Sequence, residues 1–136
     1  MKFLIAILIF CAIIILHEFV HFLFAKLNHV TVNEFAIGMG PKLFEWGKGE
    51  TKYTIRLFPI GGACMMLGED EDMEDAHAFN NAGVLGRISI VFGGPLFNFL
   101  MAFIFALIVT IFAGANKPYI TQIYDNSPAA QADLPQ

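Results

Sequence analysis

Two long apolar runs dominate the hydrophobic pattern of this chain. They cover residues 3–25 and 88–115, and the second contains no charged residue. An α-helix needs about 20 apolar residues to cross the hydrocarbon core of a bilayer, so each run predicts a membrane-spanning helix. Gly93, Gly94 and Pro95 interrupt the second run, and we expect them to loosen its first turns.

The composition also favours a lipid environment. Of the 136 residues, 57% are apolar and 15% are charged, and the mean hydropathy is +0.63. An average soluble domain has roughly 45–50% apolar and about 25% charged residues. The net charge of −4 and the lack of a basic stripe exclude nucleic acid as a main partner. The two cysteines cannot form a disulfide framework.

A cleaved signal peptide is the competing interpretation of the first run, because a basic start precedes 14 apolar residues. No small-residue cleavage site follows, however, and the apolar pattern resumes after Glu18. A further alternative ends the helix at Leu16 and places the next residues at the membrane surface. The apolar side chains of residues 19–24 disfavour it.

The distribution of Lys and Arg predicts the orientation in the membrane. Six lie between the two runs and one lies on each outer side. This excess predicts that the loop of residues 26–87 is cytoplasmic and that the N-terminus and the region after Ala115 are extracytoplasmic. We therefore expect a multi-pass protein of the cell membrane.

The loop between the runs predicts a small β-region over residues 30–62. Its strand-like runs, rich in β-branched and aromatic residues, are 30–37, 42–46 and 51–58. We expect residues 47–50 to form a hairpin connection and residues 59–62, Pro-Ile-Gly-Gly, to close the β-region. Residues 69–75 include six acids. They lack the residue order of a calcium loop, so they predict a solvated linker.

The first apolar run contains the pattern His17-Glu18-Phe-Val-His21. On a helix, residues i and i+4 share a face, so the two imidazoles can bind one zinc ion. Glu18 is then placed to accept a proton from zinc-bound water. His29 and His77 have no partner at this spacing and are not proposed as ligands.

Three ionisable side chains in a membrane helix indicate a functional site. At about 1.5 Å per residue, the site lies roughly 21 Å from the outer end of the helix, in the inner half of the bilayer. Hydrolysis requires water there, and we expect Gly93, Gly94, Pro95 and Asn98 to form the wall of a cavity. Asn98 could bind a substrate backbone, or it could be a helix-packing contact.

Several motifs together resemble the site-2 protease family of intramembrane zinc metalloproteases, in particular the bacterial regulator of sigma E protease type. The resemblance is carried by these segments: HEFVHFLFAKL, FAIGMGPKLFEW, YTIRLFPIGGACMMLGE, AFNN and GGPLFNF. It implies that His17 and His21 are zinc ligands and that Glu18 is the catalytic base. It also implies that residues 94–98 are the GxxxN element near the active site. The β-region would present the substrate as an added strand, and residues 120–134 resemble the opening of an extracytoplasmic PDZ domain.

The resemblance implies an α-helical multi-pass membrane protein that hydrolyses peptide bonds within or near transmembrane segments. Its partners would be the lipid bilayer and a membrane protein substrate, such as an anti-sigma factor or a signal-peptide remnant. The family's third zinc ligand is an Asp in a later span, which this chain does not contain. We therefore expect an N-terminal fragment, with a protease core at residues 1–115 and a truncated PDZ-like part at 116–136.

Two other functional classes remain open from the sequence. The chain could be an inactive pseudoprotease or a metal-binding membrane component, for example one that transports the ion. Transport usually needs polar groups in several spans, whereas here they lie at one depth. A plain membrane anchor would leave the buried His and Glu residues unexplained.

Overall fold

The structure is a computed structural model that describes residues 1–114, and it consists of two long helices joined by a β-sheet. The elements in chain order are α1 (Lys2–Leu27), β1 (Val32–Trp46), β2 (Lys52–Met66), a 3₁₀ turn (Phe79–Asn81) and α2 (Val84–Ala113). Met1–Ala102 forms one compact unit, and α2 continues beyond it into a second. The predicted PDZ-like part and the predicted end of the second span at Ala115 lie outside the described residues.

The two predicted helices are confirmed, and both are long and apolar enough to cross a membrane. Many of their apolar side chains are exposed; Phe3, for example, is 79% accessible and Phe99 is 72% accessible. The helix α2 is continuous through Pro95. The fixed φ of proline is helical, and a proline removes only one hydrogen bond from a helix of 30 residues.

The predicted β-region is confirmed, with different strand boundaries. The first two predicted strands form one continuous strand, β1, and β2 does not stop at residues 59–62 but extends to Met66. Glycines at sharp bends explain the difference. Gly38 and Gly61 have φ values of 88° and 91°, a backbone conformation that glycine adopts without steric cost. The strands therefore bend at these residues and continue.

The bends give the first half of β1 a segment of β2 on each side. The two strands pair antiparallel overall, from Val32 opposite Met66 to Trp46 opposite Tyr53. Residues 34–37 of β1 pair with residues 62–65 of β2, and also with residues 52–55. The first half of β1 is therefore the interior of the sheet, and residues 62–66 lie at one of its edges.

A buried carboxylate ties the sheet together. Glu34 is 8% exposed. Its Oε1 accepts hydrogen bonds of 2.7 Å from both Thr54 Oγ1 and Arg56 Nη2, and Lys42 Nζ lies 3.0 Å from its Oε2. Burial opposes ionisation, but these three donors outweigh it and lower the pKa of Glu34 from 4.5 to about 2.

The hydrophobic core lies where the end of α1 and the beginning of α2 meet the sheet. It is formed by residues from α1, the following turn, both strands and α2: Ala25, Val30, Val32, Met66 and Ile90. The core thus fixes α1, the sheet and the start of α2 against one another.

The acidic segment of residues 69–75 is anchored to the 3₁₀ turn. Asn81 of the turn donates from its Nδ2 to the carbonyl oxygens of Met73 (2.7 Å) and Asp75 (2.9 Å).

Candidate metal centre

The two histidines of α1 converge as their helical spacing predicts. His17 Nε2 lies 3.1 Å from His21 Nε2, and the ring centroids are 4.7 Å apart in an edge-to-face arrangement. Both rings are partly buried. The nitrogens that would bind a metal ion therefore point to a common position beside α1.

Contacts from α2 hold both rings. His21 Nδ1 lies 2.7 Å from the carbonyl oxygen of Ile90. Because a carbonyl oxygen can only accept, Nδ1 of His21 carries the hydrogen, and its Nε2 presents a lone pair. On the other ring, Asn98 Nδ2 lies 3.0 Å from His17 Nδ1. Each histidine thus has its second ring nitrogen in contact with α2. The contact of His21 with a carbonyl oxygen is the usual arrangement for a metal-binding histidine.

Gly94 of α2 makes room for the histidine pair. A Cβ at Gly94 would lie 2.5 Å from His21 Nε2 and 2.8 Å from His17 Cε1. Gly94 is buried, and its missing side chain leaves open the space that the two nitrogens face. At Gly94, α2 therefore presents only backbone to the candidate metal position.

Glu18 lies between the histidines and the sheet. Successive residues on an α-helix are about 100° apart, so Glu18 is about 60° around α1 from His21. A Cβ at Gly62 of β2 would lie 3.0 Å from Glu18 Cγ. The side chain of Glu18 is thus next to the histidine face of α1, and it lies close to residues 62–66 at the edge of the sheet.

Two further contacts set the approach of α1 and α2. Asn28 Nδ2 donates to Phe24 O (2.8 Å) and to Ser89 Oγ (3.0 Å). The ring of Phe24 covers Gly93, where a Cβ would lie 2.8 Å from its Cδ2. A polar bridge and a close backbone approach therefore hold α2 near the histidine face of α1.

The geometry of the pair fits zinc. Two Zn–N bonds of about 2.0–2.1 Å at a tetrahedral angle hold their nitrogens roughly 3.3 Å apart, and the observed separation is 3.1 Å. Within residues 1–114, no group of three or more His, Cys, Asp or Glu side chains is placed to hold a metal ion. A catalytic zinc usually has three protein ligands, and the histidine pair offers two ring nitrogens.

The structure brings together most of the residues that the sequence singled out. His17, His21, Gly94 and Asn98 meet at one position, and Glu18 is adjacent. Pro95 does not join them, because it is exposed on α2.

Two contacts were missed by the sequence analysis. The carbonyl of Ile90 is a backbone group, so no residue type could have indicated it. The proximity of Gly62 to Glu18 had a weak signal, since a glycine within a strand often marks a close approach.

Comparisons with known proteins identify the family of this chain. The model of peptidase family M50 matches residues 5–132. A Clostridium acetobutylicum protein named "Putative zinc metalloprotease" is 48% identical over 130 residues, which cover 96% of this chain and 38% of the relative. A Clostridium perfringens protein with the same description is 39% identical over 131 residues. These residues cover 96% of this chain and 39% of the relative.

A third relative, the zinc metalloprotease RasP of Oceanobacillus iheyensis, is 43% identical over 91 residues, or 62% of this chain and 22% of the relative. The chain thus spans less than two fifths of the two clostridial relatives. The matched residues include both histidines, Glu18 and the whole of α2. This chain belongs to peptidase family M50.

Proposed function

We propose that this chain carries the active-site histidines and the base of a zinc metalloprotease that hydrolyses peptide bonds within the membrane. The observation that carries the proposal is the convergence of His17 Nε2 and His21 Nε2, 3.1 Å apart, on a helix with predominantly apolar side chains. Family membership and the names of the relatives support zinc as the metal.

In this proposal, His17 and His21 hold the zinc ion through Nε2. When bound, zinc supplies a Lewis acid for the scissile carbonyl and makes water easier to deprotonate. Glu18 accepts the proton from the attacking water and donates it to the leaving amine. The third protein ligand comes from outside residues 1–114.

The edge of the sheet is suited to hold an extended substrate. A peptide bond in a transmembrane helix is shielded by its own hydrogen bonds, so the helix must unwind before hydrolysis. Residues 62–66 pair with β1 on one side, and Gly62 lies against Glu18. A substrate segment added at this edge would be extended next to the base.

An apolar cavity of about 120 Å³ lies on the other side of Glu18 from the histidines. It is bounded by α1 and the sheet, and its lining includes Phe19, Phe22, Phe35 and Tyr53. The Phe22 and Phe35 ring centroids are 5.5 Å apart. This size and lining suit an apolar side chain, as a transmembrane substrate would provide. We expect such substrates to be of the anti-sigma factor or signal-peptide remnant type.

We further propose that α1 and α2 cross the cell membrane, with the connecting loop cytoplasmic and the region after α2 extracytoplasmic. The six basic residues of the loop support this orientation. The exposed apolar side chains of both helices support their contact with lipid. A topology reporter fused after Asn116 should be found on the extracytoplasmic side of the membrane. A reporter that stays in the cytoplasm would contradict the orientation.

Replacement of Glu18 tests the proposed function. The Glu18→Gln variant of the full-length protein should retain zinc and lose cleavage of a model transmembrane substrate by at least a hundredfold, because the amide cannot accept the proton. Glu71→Gln, in the exposed acidic segment, is the matched control and should cleave like the wild type.

The outcomes separate the proposed function from its alternatives. If the wild type binds zinc but cleaves no membrane substrate, the chain belongs to an inactive pseudoprotease or a metal-binding component. If Glu18→Gln cleaves at the rate of the wild type, Glu18 is not the base.

A further inference from the structure

Glu69 occupies a backbone donor at the end of the sheet edge formed by residues 62–66. Its Oε2 accepts a hydrogen bond of 3.2 Å from the N–H of Met66, the last residue of β2. We propose that Glu69 is a positioning residue that ends the open edge at Met66 and thereby fixes where a substrate strand pairs with it. The proposal rests on the proposed function, since it concerns the substrate of the same site.

The N–H of Met66 points to the open side of β2. The N–H of Leu67 donates to the carbonyl oxygen of Thr31 at 2.9 Å, on the side where β1 begins. Successive N–H groups of a strand point to alternate sides. The N–H groups of Met66, Cys64 and Gly62 therefore point away from the first half of β1, to the side where a further strand would be added.

The open length of this edge is short. The backbone bends at Gly61, whose φ is 91°. Beyond the end of β2, Gly68 has a φ of 70° and turns the chain, which brings Glu69 back to the last residue of the strand. Within residues 61–69, all of which the structure describes, the alternation leaves two outward N–H groups for a substrate: those of Gly62 and Cys64.

Glu18 and Glu69 lie at opposite ends of this open stretch. A Cβ at Gly62 would lie 3.0 Å from Glu18 Cγ, whereas Glu69 contacts Met66. The pKa of the Cys64 thiol between them is raised to about 12 by burial and, to a smaller extent, by the negative charges of Glu18 and Glu69. At about 3.3 Å per residue, the proposed base and the end of the edge are separated by roughly 13 Å of strand.

The carboxylate of Glu69 resists replacement by a substrate carbonyl. A hydrogen bond from N–H to a carboxylate is stronger than one to a neutral carbonyl oxygen, and the negative charge repels an approaching carbonyl oxygen. A strand that slips by one residue turns its side chains to the other face, so the next allowed register is two residues away. The bend at Gly61 closes one direction of slippage, and Glu69 closes the other. Glu69 thus selects one register and one peptide bond beside Glu18.

The test locates the bond that the full-length protein cleaves in a model transmembrane substrate, by mass spectrometry of the products. The wild type should cleave at one bond. Glu69→Ala should give an additional product cleaved two residues away, on one side only, because the N–H of Met66 is then free to pair. Glu69→Gln should keep the wild-type bond, since its amide oxygen still accepts. Glu71→Ala, in the same acidic segment, is the matched control and should keep it too.

Amide hydrogen exchange tests the same point without cleavage. In a Glu18→Gln protein, added substrate should protect the amide of Cys64, while the amide of Met66 should be protected with and without substrate. When Glu69→Ala is combined with Glu18→Gln, the Met66 amide should exchange freely alone and become protected once substrate is added. A merely loosened strand would not regain protection in this way.

The possible failures are distinct. If the wild type cleaves no membrane substrate, the proposed function fails. If the wild type cleaves at one bond and Glu69→Ala cleaves at that bond alone, Glu69 does not fix the register. A Met66 amide that stays unprotected in the combined variant while substrate protects Cys64 would also refute the role of Glu69, as would shifted cleavage by Glu71→Ala.

Discussion

Gly94→Ala adds one methyl group at the point where the two candidate ligands meet. The new Cβ would lie 2.5 Å from His21 Nε2 and 2.8 Å from both His17 Cε1 and His21 Cε1. Non-bonded heavy atoms pack at about 3.5–4.0 Å. The methyl group therefore requires the rings to move by roughly 1 Å, or it occupies the metal position itself.

The expected loss is large because both ligands are displaced together. A misplacement of about 1 Å in a catalytic arrangement can cost on the order of 100-fold in rate. We expect zinc affinity to fall at least 100-fold and cleavage to fall by at least as much. The helix should remain folded, because alanine is a better helix former than glycine.

Two other glycines provide controls. A Cβ at Gly83 would have nothing within 4 Å, so Gly83→Ala should bind zinc like the wild type. Gly93→Ala would press on the Phe24 ring at 2.8 Å, and it should lower thermal stability more than zinc affinity. Zinc affinity and circular dichroism measured for all three variants test these expectations. Wild-type zinc affinity in Gly94→Ala would refute the proposed metal position.

Two further predictions concern the sheet. Because the pKa of Glu34 is lowered to about 2 in the folded protein, its stabilising contribution is complete above about pH 4.5 and is lost as the pH falls towards 2. Glu34→Gln should therefore lower stability by about 2 kcal/mol at neutral pH. It should also flatten the acid limb of a thermal-denaturation pH series, and an unchanged limb would contradict the argument. Phe35→Ala removes the ring that contacts both Phe19 and Phe22 and should cost about 3 kcal/mol; a melting temperature equal to that of the wild type would show that the aromatic contacts are not stabilising.

Local patterns predicted the elements and the histidine pair. Apolar runs long enough to span a bilayer indicate helices without any knowledge of their neighbours. The i, i+4 spacing of His17 and His21 likewise follows from helix geometry alone. These features depend on residues close together in the sequence, and the structure agrees with them.

Contacts between distant residues were less accessible from the sequence. The hydrogen bond from His21 to Ile90 spans 69 residues and uses a backbone oxygen. Asn98 was recognised as a polar group at the site, but its partner could not be named, because the partner depends on how α2 packs against α1. The course of β2 beyond residues 59–62 was predicted wrongly, since Pro-Ile-Gly-Gly is typical of a turn and here accommodates a bend at Gly61 within a strand.

The metal content of the purified full-length protein is the most direct test of the central claim. Elemental analysis should find about one zinc ion per chain in the wild type and almost none after His17→Ala combined with His21→Ala. A wild-type protein that stays free of zinc after incubation with the metal would contradict the claim, as would a double variant that retains the full content.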